Sequence, residues 1–351
     1  MEAQSRLKVA VIGLGKMGVL HSVIISALPG ARIVAVCDTQ RLISSMAGKL
    51  VHGLRCYHDY VEMIEKEGPD ALFIATPIHT HAAVISDVLN RHPISVFVEK
   101  PLAGNAEDAQ ALAKLISNYR VTNMVGFQKR FNSTFRRGKA LLDSRVLGQV
   151  LFYKGSAFSS DIFRAAKGWR FAKESGGALL ELGCHLVDLA IWYFGEPIEA
   201  EGAQTSLYSS EVDDYTHATF SHSNGVVGHI DVSWSVRGYR LPETSLEIHG
   251  SDGRMVVTDD YIKLSIDKPI EGILLGRELS PGDHILYRQS LEDSPPFLYG
   301  DPEYSFEDEA FVRAVGTLKP CEPSFEVAAA VNRVIDLVRQ NAARREGQDA
   351  R

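Results

Sequence analysis

The chain has 351 residues, 45 % of them hydrophobic and 23 % charged, with 44 acidic side chains against 37 basic ones and a formal net charge of −7. At roughly 100–200 residues per domain this length predicts two domains, and the ordinary composition excludes a largely disordered chain. The acidic balance, broken only by the short Lys129-Arg130 and Arg136-Arg137-Lys139 stretch, argues against a nucleic acid or an anionic membrane as partner.

Met1 to Arg6 runs straight into an apolar strand with no signal-peptide pattern, and no stretch approaches about 18 uninterrupted apolar residues. A cytoplasmic protein without a membrane span is therefore expected. Val9-Ala10-Val11-Ile12 predicts a buried strand, followed by a glycine-rich turn and a helix from about Met17 to Leu28. Further strand runs are Ile33 to Val36, Ala71 to Ala75, Val96 to Val98 and Thr122 to Val125, with helical periodicity at Ala82 to Leu89 and Ala106 to Ser117. Continuous apolar strands alternating with helices predict a doubly wound parallel sheet covered on both faces.

The pattern changes near residue 125, so a first α/β domain over 1–125 and a second α+β domain over 126–351 are expected, with C-terminal helices able to pack back on the first. Helices are predicted over Thr134 to Asp143 and Gly177 to Phe194. Period-two patterning between about 200 and 265 predicts a mostly antiparallel sheet, with a hairpin at Asn224-Gly225, where both residue types tolerate positive φ. Residues 266–305 read as irregular, Phe306 to Thr317 and Phe325 to Ala343 as helices, and the charged tail Arg344 to Arg351 as frayed. Cys37, Cys56, Cys184 and Cys321 contain no CxxC pair, which predicts reduced thiols and no zinc knuckle.

Gly13-Leu14-Gly15-Lys16-Met17-Gly18 fits G-x-G-x-x-G in the required context, after a strand and opening a helix. The first glycine permits the tight turn, the second lets backbone approach a pyrophosphate, and the third allows close helix–strand packing. The helix N-terminus adds N–H donors and a partial positive charge. Asp38, 20 residues past Gly18 at the end of the second strand run, suits a hydrogen bond to the adenosine ribose and repels a 2′-phosphate, which favours NAD over NADP; Arg41 nearby is the counter-argument.

Glu99-Lys100-Pro101 follows the fourth strand run, and ligands of doubly wound sheets sit beyond the carboxyl ends of the strands. Glu181 and His185, four residues apart within Gly176 to Leu189, fall on one face of a continuous helix, where a carboxylate can orient an imidazole. No metal is expected, because Cys184 and His185 are adjacent on a helix and point in different directions.

These segments, with Thr76-Pro77 and His81, Gly126 to Phe131, Trp169-Arg170, Leu246 to Gly250 and the C-terminal helical pair, resemble the Gfo/Idh/MocA oxidoreductase family in order along nearly the whole chain. The resemblance implies an N-terminal Rossmann domain and a C-terminal substrate domain whose open sheet makes homodimer or homotetramer contacts. It implies cofactor contacts from Lys16, Met17, Thr76, Pro77, His81, Glu99 and Gln128 beside the glycines and Asp38. Lys100 would lie next to the reacting hydroxyl, His185 would be the general acid/base with Glu181 orienting it, and Arg130, Trp169 and Arg170 would line the substrate region. Glu181 stands where the family commonly has Asp, and Ser133 where it has Pro.

The expected reaction is hydride transfer between NAD and a secondary alcohol or ketone of a sugar, polyol or sugar derivative. Lys100 beside a bound cationic nicotinamide would have a lowered pKa through desolvation and like charge, and could take the hydroxyl proton. Arg164, Tyr153 and Tyr239 could add hydrogen bonds and flat apolar faces for a pyranose, though each is more often structural taken singly. The alternatives are a nucleotide-sugar 3-dehydrogenase of glycan synthesis, a glycosidase using transient oxidation by retained NAD, and a dinucleotide-sensing regulator indifferent to Lys100 and His185.

Overall fold

The computed structural model describes residues 6–40, 54–163, 175–270, 278–291 and 300–349. They divide into two compact units, Met1–Gln128 with Ser294–Ala329, and Lys129–Asp293 with Ala330–Arg351. Arg41, Arg164, Trp169 and Arg170 lie outside the described residues.

The first unit is built on six described strands: β1 (Leu7–Ile12), β2 (Ala31–Cys37), β3 (Arg55–Tyr57), β4 (Ala71–Ile74), β5 (Ser95–Glu99) and β6 (Asn123–Gly126). They pair in parallel in the order β3-β2-β1-β4-β5-β6. Val9, Val11, Phe73, Val96 and Phe97 are fully buried, as continuous apolar runs must be when helices cover both faces. The helices are α1 (Lys16–Ala27), α2 (Tyr60–Glu67), α3 (Ile78–Arg91) and α4 (Ala106–Ile116), joined by α8 (Pro302–Thr317), which packs beside α1. Strand order reverses at β1, which opens a crevice beyond the carboxyl ends of β1 and β4.

The second unit carries β7 (Val150–Phe158), β8 (Pro197–Thr205), β9 (Tyr215–His222), β10 (Val227–Ser233), β11 (Glu243–Gly250), β12 (Gly253–Thr258), β13 (Tyr261–Ile266) and β14 (Gly282–Tyr287). Their order is β14-β13-β12-β11-β7-β10-β9-β8, and of the described pairs only β7 with β10 is parallel. The expected hairpin forms at Gly225 (φ 83°), where the Val226 N–H donates to Asn224 Oδ1 at 3.1 Å. Burial alternates strictly along β9, so one face of the sheet is dry and the other is partly exposed. Helices α5 (Ser133–Asp143), α6 (Gly177–Glu181) and α7 (Cys184–Phe194) pack against this sheet, at β12 and β13, at β9 and β10, and at β7 respectively.

Four expectations change. The helix predicted from Gly177 to Phe194 is two helices, broken at Leu182-Gly183. The stretch expected to be irregular contains β14, which pairs with β13 as an edge strand. Strand β7, central in its sheet, was hidden because Gly155 and Ala157 occupy two of its buried positions and blur the period-two signal. Helix α9 (Phe325–Asp349) runs on through most of the tail expected to fray. All four cysteines are free thiols. No helix among the described residues is long and apolar enough to cross a membrane.

Candidate active site

In the first unit the candidate residues gather at the carboxyl edge of the parallel sheet. Gly13 sits at φ 91°, and a Cβ there would lie 2.6 Å from the Ala75 carbonyl oxygen. A Cβ at Gly18 would lie 1.8 Å from the Gly13 oxygen, so both positions admit only glycine. Gly15 differs: a Cβ there meets nothing within 4 Å, and the residue caps α1 with no side-chain hydrogen bond. The first-turn N–H groups, at exposed Lys16 and half-buried Met17, are thus left to an external acceptor, which is the donor set a pyrophosphate needs. Asp38, just past β2, accepts from the Leu14 N–H at 2.8 Å and the Gln40 N–H at 2.8 Å, so its carboxylate is fixed beside the glycine turn. These residues fit a dinucleotide without a 2′-phosphate.

Beyond β4, Thr76 is half-buried and accepts from the Thr80 hydroxyl at 2.7 Å, and Pro77 caps α3. His81 is buried, its ring nitrogens 2.8 Å from the Thr76 carbonyl and 3.0 Å from that of Pro101. Burial holds its pKa below the ordinary value. His81 therefore sits between the β4 loop and the β5 loop, its one N–H available to one of the two carbonyls. Glu99 ends β5, 8 % exposed, and its Oε2 accepts from the Lys100 N–H at 3.1 Å. Gln128, after β6, donates from Nε2 to the Tyr304 hydroxyl at 3.4 Å.

Sequence reasoning passed over His21. It lies fully buried on α1, with Nε2 2.9 Å from Glu99 Oε1 and Nδ1 2.8 and 3.0 Å from the two Asp308 oxygens. Its position three residues after Gly18 was a visible signal, but Asp308 is 287 residues away in sequence and was not.

In the second unit, Glu181 is the last residue of α6 and His185 the second of α7, 6 % exposed. The N–H groups of Leu182 and Gly183 both donate to the Ala178 carbonyl at 2.9 Å, and α7 restarts with Val187 N–H to Gly183 O at 2.9 Å. Glu181 and His185 therefore stand on either side of a break rather than within one continuous helix. The start of α6 is anchored by half-buried Asp213, which accepts from the Leu179 N–H at 3.0 Å and the Thr216 hydroxyl at 3.0 Å. Burial pushes that carboxyl up. The Arg339 guanidinium donates to the Gly176 carbonyl behind it.

Arg130 is committed within the second unit: Nε and Nη2 reach the Asp188 carboxylate at 2.8 and 2.7 Å, and the guanidinium lies 5.4 Å from the Trp192 ring centroid. Asp188 is fully buried on α7, three residues after His185, so this bidentate pair fixes the helix that carries the imidazole. Tyr153 is a core group, stacked on Phe194 at 4.1 Å with its hydroxyl 3.0 Å from His222 Nε2, and offers no face to a sugar.

Residues 7–127 match the sequence model described as oxidoreductase family, NAD-binding Rossmann fold, and residues 135–256 match that of the GFO/IDH/MocA C-terminal domain. The chain is 30 % identical over 196 residues, 56 % of each chain, to the scyllo-inositol 2-dehydrogenase (NAD(+)) of Bacillus subtilis strain 168. It is 24 % identical over 98 % of both chains to the levoglucosan dehydrogenase of Pseudarthrobacter phenanthrenivorans. A solved structure of levoglucosan dehydrogenase with NADH shares the fold at a TM-score of 0.84, 22 % identity, and coverage of 97 % of this chain and 98 % of that one. The family matches fall one on each unit, and on that ground the chain belongs to the GFO/IDH/MocA oxidoreductases, a family with an NAD-binding Rossmann domain.

Proposed function

We propose that the protein oxidises a secondary alcohol of a sugar or polyol, or reduces the corresponding ketone, with NAD as its redox partner. The observation that carries this is the single sheet edge that holds an open, side-chain-free helix N-terminus at Gly15, a fixed carboxylate at Asp38, and Lys100 fastened through its amide to Glu99. Relatives named for inositols, apiose and levoglucosan support a polyhydroxylated substrate.

Bound NAD supplies nicotinamide C4 as the hydride acceptor. The glycine turn holds the pyrophosphate on backbone N–H groups, and Asp38 takes the adenosine ribose hydroxyls. Lys100 Nζ hydrogen-bonds the substrate hydroxyl and receives its proton as the hydride leaves; in reduction it returns the proton. In the second unit, His185 is assigned as the general acid/base, and Glu181 at the end of α6 as the carboxylate that orients it. Arg130 acts from behind, through Asp188 and the fixing of α7.

The test is a panel of sugars, inositols, glycosides and nucleotide sugars incubated with enzyme and NAD, read at the NADH band and by mass spectrometry. A product two mass units lighter, formed with NADH, is expected. Glycoside cleavage without NADH would replace the dehydrogenase by the glycosidase that cycles its nicotinamide, and a response confined to nucleotide sugars would move the enzyme to glycan synthesis.

A further inference from the structure

We propose that His21 is a positioning residue of this enzyme: bridging Asp308 and Glu99 with its two ring nitrogens, it holds the Glu99 carboxylate in the orientation that fastens the Lys100 backbone. The proposal deepens the reading of Lys100 given above and rests on that reading for its effect on turnover.

The geometry forces an unusual charge state. A neutral imidazole has one N–H and one lone pair. Here both nitrogens face carboxylates, at 2.9 Å to Glu99 and 2.8 Å to Asp308. A lone pair aimed at an ionised carboxylate is repelled, so between two ionised carboxylates the ring carries a proton on each nitrogen and donates both ways. The surroundings hold it there: Phe97 and Phe73 lie 5.0 and 5.4 Å from the imidazole centroid and Tyr304 at 6.4 Å, and His21 and Asp308 have no exposed surface. A buried charge persists only when paired, and this cation is paired twice.

The titratable groups around the ring are Glu99, Asp308, Glu307, Glu303 and Tyr304. Glu307 is fully buried, and neither of its carboxylate oxygens has a hydrogen-bond partner. Burial and the neighbouring acids push its pKa well up, which favours its neutral form beside the ring. Burial works to lower the His21 pKa, but the carboxylates of Asp308 and Glu99 outweigh it and hold that pKa well above its ordinary value, while burial also pushes the Asp308 carboxyl up. One cation and two anions then bind three elements together: α1, whose N-terminus is the phosphate cradle, the end of β5 with Lys100, and α8. The order of recognition follows. Asp308 sets the ring, the ring sets Glu99 Oε1, and Glu99 Oε2 sets the Lys100 amide.

The experiment is a double-mutant cycle of His21→Phe and Glu99→Gln in the full-length enzyme. It is read as kcat and KM for the best substrate of the panel, as NADH affinity by fluorescence titration, and as folding by near-UV circular dichroism. His21→Phe keeps a flat ring and removes both donors; kcat is expected to fall roughly tenfold to a hundredfold, with less than about a twofold further loss when Glu99 is already Gln. His21→Gln, which keeps one donor group, recovers part of the loss. Losses that multiply, or a folded His21→Phe enzyme with wild-type kcat and NADH affinity, would overturn the proposal. If His21→Phe does not fold, nitrogen-15 NMR of the histidine-labelled wild-type enzyme decides. One ring, absent from His21→Gln, should carry protons on both nitrogens at pH 8, and a neutral ring there ends the argument. Normal turnover in Lys100→Ala would remove the role of Lys100, whereas the coupling of His21 to Glu99 in NADH affinity stands or falls on its own cycle.

Discussion

Lys100 draws its meaning from what holds it. Its amide is fastened to Glu99 Oε2 at 3.1 Å, and it follows the strand that ends in that carboxylate. A group that only moves a proton contributes through the chemical step and not through cofactor binding. Lys100→Ala should therefore lower kcat by about 10²- to 10⁴-fold while NADH affinity by fluorescence titration stays close to wild type. Near-normal turnover in that variant would take Lys100 out of the chemistry. This residue, the glycines and Asp38 were legible in sequence because strand, turn and helix signals lie within a few residues of each. The ties of His21 to Asp308 and of Arg130 to Asp188 were not legible, since those partners sit 287 and 58 residues away and only folding brings them together.

At the scale of elements, the break between α6 and α7 separates what periodicity shows from what packing decides. The apolar pattern from Gly177 to Phe194 reads as one helix, yet at Gly183 the turn widens to a bond five residues back, to the Ala178 carbonyl, and the backbone packs closely on its neighbours. A Cβ there would lie 2.6 Å from the Leu179 carbonyl oxygen and 3.0 Å from the Val232 side chain. Gly183→Ala is thus expected to cost about 1–3 kcal/mol in urea unfolding through overpacking. Because His185 lies two residues on, kcat should fall with it. An alanine variant as stable and active as wild type would mean the break is not needed. Strand β14 escaped detection for a related reason: Gly282-Asp283-His284 opens it with no apolar residue, and its pairing with β13 supplies the order that its own sequence lacks.

For the whole molecule, five strands of the parallel sheet were readable because both its faces are covered and each of them carries an apolar run, whereas the short edge strand β3 (Arg55–Tyr57), exposed or half-buried throughout, gave no such signal. The second unit was readable only in outline. Its sheet alternates buried and half-exposed positions, a signal that glycine and alanine at buried sites weaken, as along β7. The C-terminal region contributes α8 to the first unit, beside α1, and through Asp308 it contributes a carboxylate to the network behind Glu99. The proposed reaction is net hydride transfer from a carbinol carbon to NAD. It is tested most directly with a substrate deuterated at that carbon, incubated with enzyme and excess NAD, followed by mass spectrometry of the released nucleotide. One deuterium in each NADH released, with a ketone product that has lost it, is the expected result. Deuterium retained in the product with no labelled NADH in solution would contradict it.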